Sequence, residues 1–248
     1  MLLSGISSVT FTQCFTQMYF FYFLASVENL LLVLMAYDRG VAICSPLHYI
    51  NILNKKKCFM LIIVIFVTAS LNSLLITLPN KKLHFCNSNT LQHFFCESKA
   101  MTKIATSGAE FIYRVFYIEL FSFGLVPCLC SFVSYVKILK VIFDIKSSEG
   151  RRKAFSTCSS HLTVISLYFG TAALMILMPP SKYSDLLDQV FTMLFSVIIP
   201  MLNPLIYSLR NKDVHGAVLR LVGGKVKPII VFTRPKAAKA YDKLSKQF

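Results

Sequence analysis

Five long apolar runs, separated by short polar and basic segments, limit what this chain can fold into more than any other feature. They lie at about 11–43, 58–78, 109–143, 155–178 and 186–209. Each supplies the roughly 20 predominantly apolar residues that a helix needs to cross a bilayer. Inside hydrocarbon a backbone amide finds no water, so an open-chain span has to be a helix that satisfies its own hydrogen bonds. The expected fold is therefore all-α, a multi-span transmembrane helical bundle. Composition agrees: charged residues are 15% of the 248 and mean hydropathy is +0.62, against about 25% charged in a soluble domain.

The net charge of +15 is distributed between the runs. Arg39, Lys55, Lys56 and Lys57 follow the first, Lys146, Arg151, Arg152 and Lys153 separate the third from the fourth, and Arg210, Lys212 and Arg220 follow the fifth. Basic flanks of this kind mark cytoplasmic loops. They put the N-terminus outside, the C-terminus inside, and the cationic loops against anionic membrane lipid. Nucleic acid is not an expected partner, because no recognised binding module accompanies the charge. The start has no basic n-region and no cleavage site, so the first run acts as its own insertion signal. The chain divides into a membrane domain at 1–220 and a basic cytoplasmic tail at 221–248. No internal repeat of transporter type is visible. No nucleophile–base pair or phosphate loop is present, so neither an enzyme nor a cofactor is expected.

Polar residues within the runs carry the remaining information. Glu28, Asn29 and Glu119 fall at membrane depth, where an ionisable group is functional by default. Glu119 reads either as a carboxyl hydrogen-bonded to another helix or as an anion that favours amine ligands. Asp38-Arg39, at the end of the first run, reads either as charges snorkelling to the interface or as a switchable pair. Residues three and four apart share a helical face. Phe21, Tyr22, Ala25 and Ser26 make one such stripe, and Phe169, Ala172, Ala173 and Ile176 another. Stripes like these form core packing or line a pocket. Among the eight cysteines, Cys14, Cys86 and Cys96 flank polar segments and can oxidise if those face an oxidising compartment.

Four motifs, in order, resemble the signatures of the olfactory receptors, a rhodopsin-like G-protein-coupled receptor family. Met35-Ala-Tyr-Asp-Arg-Gly-Val-Ala-Ile-Cys-Ser-Pro-Leu-His-Tyr49 resembles the inner end of the third helix, and Ser134-Tyr-Val-Lys-Ile138 the fifth-helix motif. Lys153-Ala-Phe-Ser-Thr-Cys-Ser-Ser-His-Leu162 resembles the start of the sixth helix, and Pro200-Met-Leu-Asn-Pro-Leu-Ile-Tyr-Ser-Leu-Arg-Asn211 the end of the seventh. The resemblance implies helices three to seven of a seven-helix plasma-membrane receptor, with the first two helices absent. It implies detection of a small volatile or water-borne odorant and coupling to a stimulatory heterotrimeric G protein. The rival is a truncated, non-signalling product of a receptor gene.

The resemblance also assigns roles. Both stripes border the odorant cavity. Asp38, Arg39, Tyr135, His161, Asn203, Pro204 and Tyr207 form the coupling switch, in which Asp38 restrains Arg39 at rest. Glu28 and Asn203 face an inner polar cavity, where Glu28 is left unpaired and protonated if the second helix is missing. A disulfide joins Cys14 to Cys96. Cys86 is a free thiol, because Thr106 stands where its partner would be. His93, Cys96 and Glu97 have metal-ligand chemistry, but a disulfide removes the Cys96 thiolate, so no metal is expected. Gly40 replaces the family's Tyr, and since Gly weakens a helix by about 1 kcal/mol relative to Ala, impaired coupling is expected.

Overall fold

The computed structural model describes residues 9–85, 95–177 and 184–210. The chain falls into two compact units, Met1–Pro204 and Leu205–Phe248. The second is described only through Arg210, so the basic tail lies outside the described residues, as do Cys86 and His93.

The described residues are helical almost throughout. Helix α1 is Phe11–Cys44, followed by the short α2 (Tyr49–Ile52) and by α3 (Lys55–Thr77), which runs into a 3-10 turn at Leu78–Lys82. Then come α4 (Ser98–Ile104), α5 (Ala109–Glu119) and α6 (Val126–Asp144), the last two joined by a π-helical stretch at Leu120–Leu125. Helix α7 is Ser148–Leu177. Helices α8 (Ser184–Met193) and α9 (Ile199–Arg210) are joined by a second π-helical stretch at Leu194–Ile198. Four segments are long and apolar enough to cross a membrane: Phe11–Cys44, Lys55–Lys82, Ala109–Asp144 and Cys158–Met175. The fifth apolar run is helical too, with a shorter apolar stretch at Gln189–Asn203.

Local chemistry explains the helix ends. Thr10 caps α1 in a reciprocal capping box with Gln13, and Asn54 caps α3 by accepting from the Lys57 amide at 2.9 Å. Both satisfy amides that the first turn leaves without an intrahelical partner. Gly108, ahead of α5, has φ of 90°, and a Cβ there would sit 2.5 Å from the Lys82 carbonyl oxygen. Only glycine fits that position.

Helix α1 is the axis of the bundle and packs against α3, α6 and α7. At one end a core cluster gathers Cys14, Met18, Leu83, Cys96, Met101 and Ile112. At the other, Ala36 packs with Tyr135, Ile138, Ile142, Cys158 and Ile165. The outer surface is strongly apolar, with Phe59, Val64, Phe66, Leu71 and Phe132 all exposed. That surface suits lipid rather than water.

Candidate functional site

At the first end, Cys14 and Cys96 are disulfide-bonded, with Cα atoms 5.4 Å apart. Gln17 on α1 accepts from the Cys96 amide at 3.2 Å, and Phe21 packs on Phe95 with ring centroids 4.7 Å apart. The segment leading into α4 is thus fastened to the top of α1.

One to two turns further in, a polar group assembles from three helices. Ser26 on α1 accepts from Asn72 on α3 at 3.1 Å and donates to the Tyr22 carbonyl at 2.7 Å. Asn72 also reaches the Glu119 carboxyl at the end of α5, and Tyr22 lies in the field of Glu119 and Glu97. The Glu119 Oε1 atom is buried with no hydrogen-bond partner among the described residues. The first stripe and Glu119 therefore come together, with Ala25 half-buried beside them. Asn72 belongs to this group although the sequence does not single it out: Thr68, Ser70, Ser73 and Thr77 are polar neighbours in the same helix, and the packing of α3 on α1 decides that Asn72 meets Ser26.

The second stripe is oriented differently. The buried face of α7 carries Cys158, His161, Ile165 and Tyr168, which follow the three- and four-residue helical spacing. Each residue turns the helix by about 100°, so when Tyr168 faces inward, its neighbours turn aside. Phe169 packs towards the cluster around Ala36, Ala172 is half-buried and Ala173 is exposed. The Ile176 side chain lies outside the described set. Tyr168 takes the inward place: its hydroxyl donates to the Ala25 carbonyl at 3.5 Å, and its ring meets Phe195 at 4.7 Å.

Glu28 has a partner, contrary to the expectation of an unpaired acid. The Asn203 amide, in the first half of α9, donates to its carboxyl group. Asn29, one residue on, donates to the Phe123 carbonyl. Pro127 lacks the N–H that would reach that carbonyl from four residues ahead, and Asn29 supplies the missing donor.

At the other end of α1, Asp38 accepts from the Tyr49 hydroxyl at 2.7 Å. The Asp38 carboxylate holds the Tyr49 phenol above its ordinary pKa, so Tyr49 remains a donor through neutral pH. Asp38 is thus engaged by Tyr49 on α2, and no ion pair closes it onto Arg39 among the described residues. Arg39 instead lies close enough to Cys158 and His161 on α7 to act on both electrostatically. Tyr135 on α6 and His161 share a hydrogen bond at 2.8 Å, and the Tyr135 hydroxyl also reaches the Cys158 carbonyl at 3.5 Å. A side chain at Gly40 would meet open space, so no crowding demands glycine there. Pro204 lies on α9. Tyr207 also lies on α9, within the second unit, and its side chain is outside the described set.

Comparison with known proteins settles the family. The family model described as "Olfactory receptor" matches residues 1–225. The chain belongs to the olfactory receptor family. It is 42% identical over 218 residues to olfactory receptor 1 of Rattus norvegicus, covering 88% of this chain and 69% of that one. Olfactory receptor 1E16 of Mus musculus matches to the same extent. Olfactory receptor 1A1 of Pan troglodytes is 41% identical over 224 residues, covering 90% of this chain and 72% of its own length. Olfactory receptors are G-protein-coupled receptors, a family without enzyme activity, and this member is a multi-pass membrane protein. Disulfide-bonded Cys96 offers no thiolate, and no metal-binding group of His, Cys, Asp and Glu occurs among the described residues.

Proposed function

We propose that this olfactory receptor, acting at the plasma membrane, binds small, mostly apolar odorants beside the Tyr22–Ser26–Asn72–Glu119 group. In this reading Phe21, Ala25 and Tyr168 border the site and the second stripe contributes through Ala172, while the disulfide tethers the segment above it. Binding is passed to a stimulatory heterotrimeric G protein at the Asp38–Arg39 end, through Tyr135, His161 and Asn203. The observation that carries the reading is the placement of two polar groups on one helix. Tyr22 and Asp38 are separated by about 24 Å at 1.5 Å per residue; the first group includes side chains from α3 and α5, and the second from α2, α6 and α7. A ligand that draws α3 and α5 closer to α1 therefore works on the same rigid element that presents Arg39.

Few polar groups in an apolar surround suit ligands with a single polar function. Glu119 narrows the class. A carboxylate in low dielectric attracts a cationic amine strongly, and its Oε1 has no competing partner among the described residues. In cells expressing the chain, an odorant panel read by cyclic AMP is expected to include aliphatic amines among the agonists. Glu119→Gln is expected to remove the amine response while neutral agonists keep theirs. Equal loss for both classes would contradict the charge-pairing role. Absence of any odorant-evoked cyclic AMP from chain that reaches the surface would contradict the receptor reading.

A further inference from the structure

We propose that the cleft between α6 and α7, at the Arg39 end of the bundle, is a docking site for an anionic phospholipid. The cleft encloses about 530 Å³, within the range of small-ligand sites. Its α7 side presents Ser148, Arg151, Arg152, Phe155 and Ser156, which sit at three- and four-residue spacing along one helical face. Its α6 side presents Leu139, Ile142 and Phe143.

Charge and polarity are sorted within the cleft. Both arginines are exposed, no acidic residue lines it, and neither arginine has an ion-pair partner among the described residues. Asp144 and Glu149 are close in sequence, but neither belongs to the lining. Two guanidinium groups side by side make a donor set for phosphate or carboxylate oxygens. The remaining walls are aromatic and aliphatic. Phe143 is 71% exposed and Phe155 51% exposed, an open apolar surface beside a cationic cradle. A soluble anion has no use for those phenyl rings. An anionic phospholipid uses both parts, with its headgroup on the arginines and its first acyl carbons along Phe143 and Phe155. The location fits as well, because α7 enters its membrane-crossing stretch at Cys158, less than two turns beyond Arg152. That is headgroup depth.

The test takes the full chain from vesicles of equal phosphatidylcholine and phosphatidylserine and reads retained lipid by native mass spectrometry. Phosphatidylserine is expected to be enriched on the wild-type chain. Removing each arginine, as Arg151→Gln and Arg152→Gln, is expected to lower the enrichment about five-fold. The triple replacement Lys55→Gln, Lys56→Gln and Lys57→Gln leaves the cleft intact and is expected to preserve most of it. Far-ultraviolet circular dichroism of each variant verifies helicity, which exposed positions should not alter. Three results would overturn the proposal: equal retention of both lipids by wild type, equal losses from the arginine and lysine variants, or displacement by glycerophosphoserine at the same concentration. The last would show a site for the headgroup alone.

Discussion

Single side chains decide most of what distinguishes the two ends of α1. Tyr49 engages Asp38, which leaves Arg39 facing the Cys158–His161 side of α7. Tyr49→Phe keeps the ring and deletes the donor, so Asp38 becomes available to Arg39. Lower odorant-evoked cyclic AMP at unchanged surface abundance is the expected result. Unchanged signalling would mean that the hydrogen bond has no part in coupling. The Asp-Arg pair was visible in the sequence, and so was Tyr49, eleven positions from Asp38. That the two would meet was not visible, because the turn between α1 and α2 sets it. Tyr168 illustrates the same limit. Phe169 and Tyr168 are adjacent aromatics, and one residue of helical phase decides which of them faces α1.

At the scale of helices, the two long interrupted segments share a device. Leu120-Phe-Ser122 and Leu194-Phe-Ser196 both open π-helical stretches, and both precede a proline, Pro127 and Pro200. In each, the serine hydroxyl donates to the carbonyl four residues back, Ile118 or Thr192, at 2.6 Å. Serine and proline together disturb the regular ladder, and neighbouring helices must supply what is lost. For Pro127 the supplier is Asn29, 94 positions from Phe123. Asn29→Leu is expected to lower stability by about 1–2 kcal/mol, read as a drop in Tm in lipid nanodiscs. Adding Pro127→Ala restores an amide donor within the helix and should recover most of that loss. Purely additive losses in the double variant would refute the pairing. The prolines and the existence of the spans were legible from the order of residues along the apolar runs. The π-helical winding was not, since it arises from how backbone groups are shared between helices rather than from any run of residue types.

For the whole molecule, the Cys14–Cys96 bond encloses α2 and α3 in a loop with a sequence separation of 82. In the chain-entropy account a loop of that size contributes roughly 4 kcal/mol. Cys14→Ser with Cys96→Ser is accordingly expected to reduce surface abundance and lower Tm by several degrees; an unaltered melting curve would show that Gln17 and the core around Met18 suffice. Orientation is open to a direct check. Protease protection in microsomes should place residues 45–57 and 146–153 on one side of the bilayer, and finding them on opposite sides would break the receptor topology. Bundle class and family were readable from hydropathy and four motifs, since both depend on patterns local in sequence. Partnerships between distant helices were not, and Glu28 with Asn203 is the clearest case. That contact has a consequence for biosynthesis. Helix α1 enters the membrane well before α9, so the carboxyl group of Glu28 waits for Asn203, 175 positions further along, until the helices between them have been inserted.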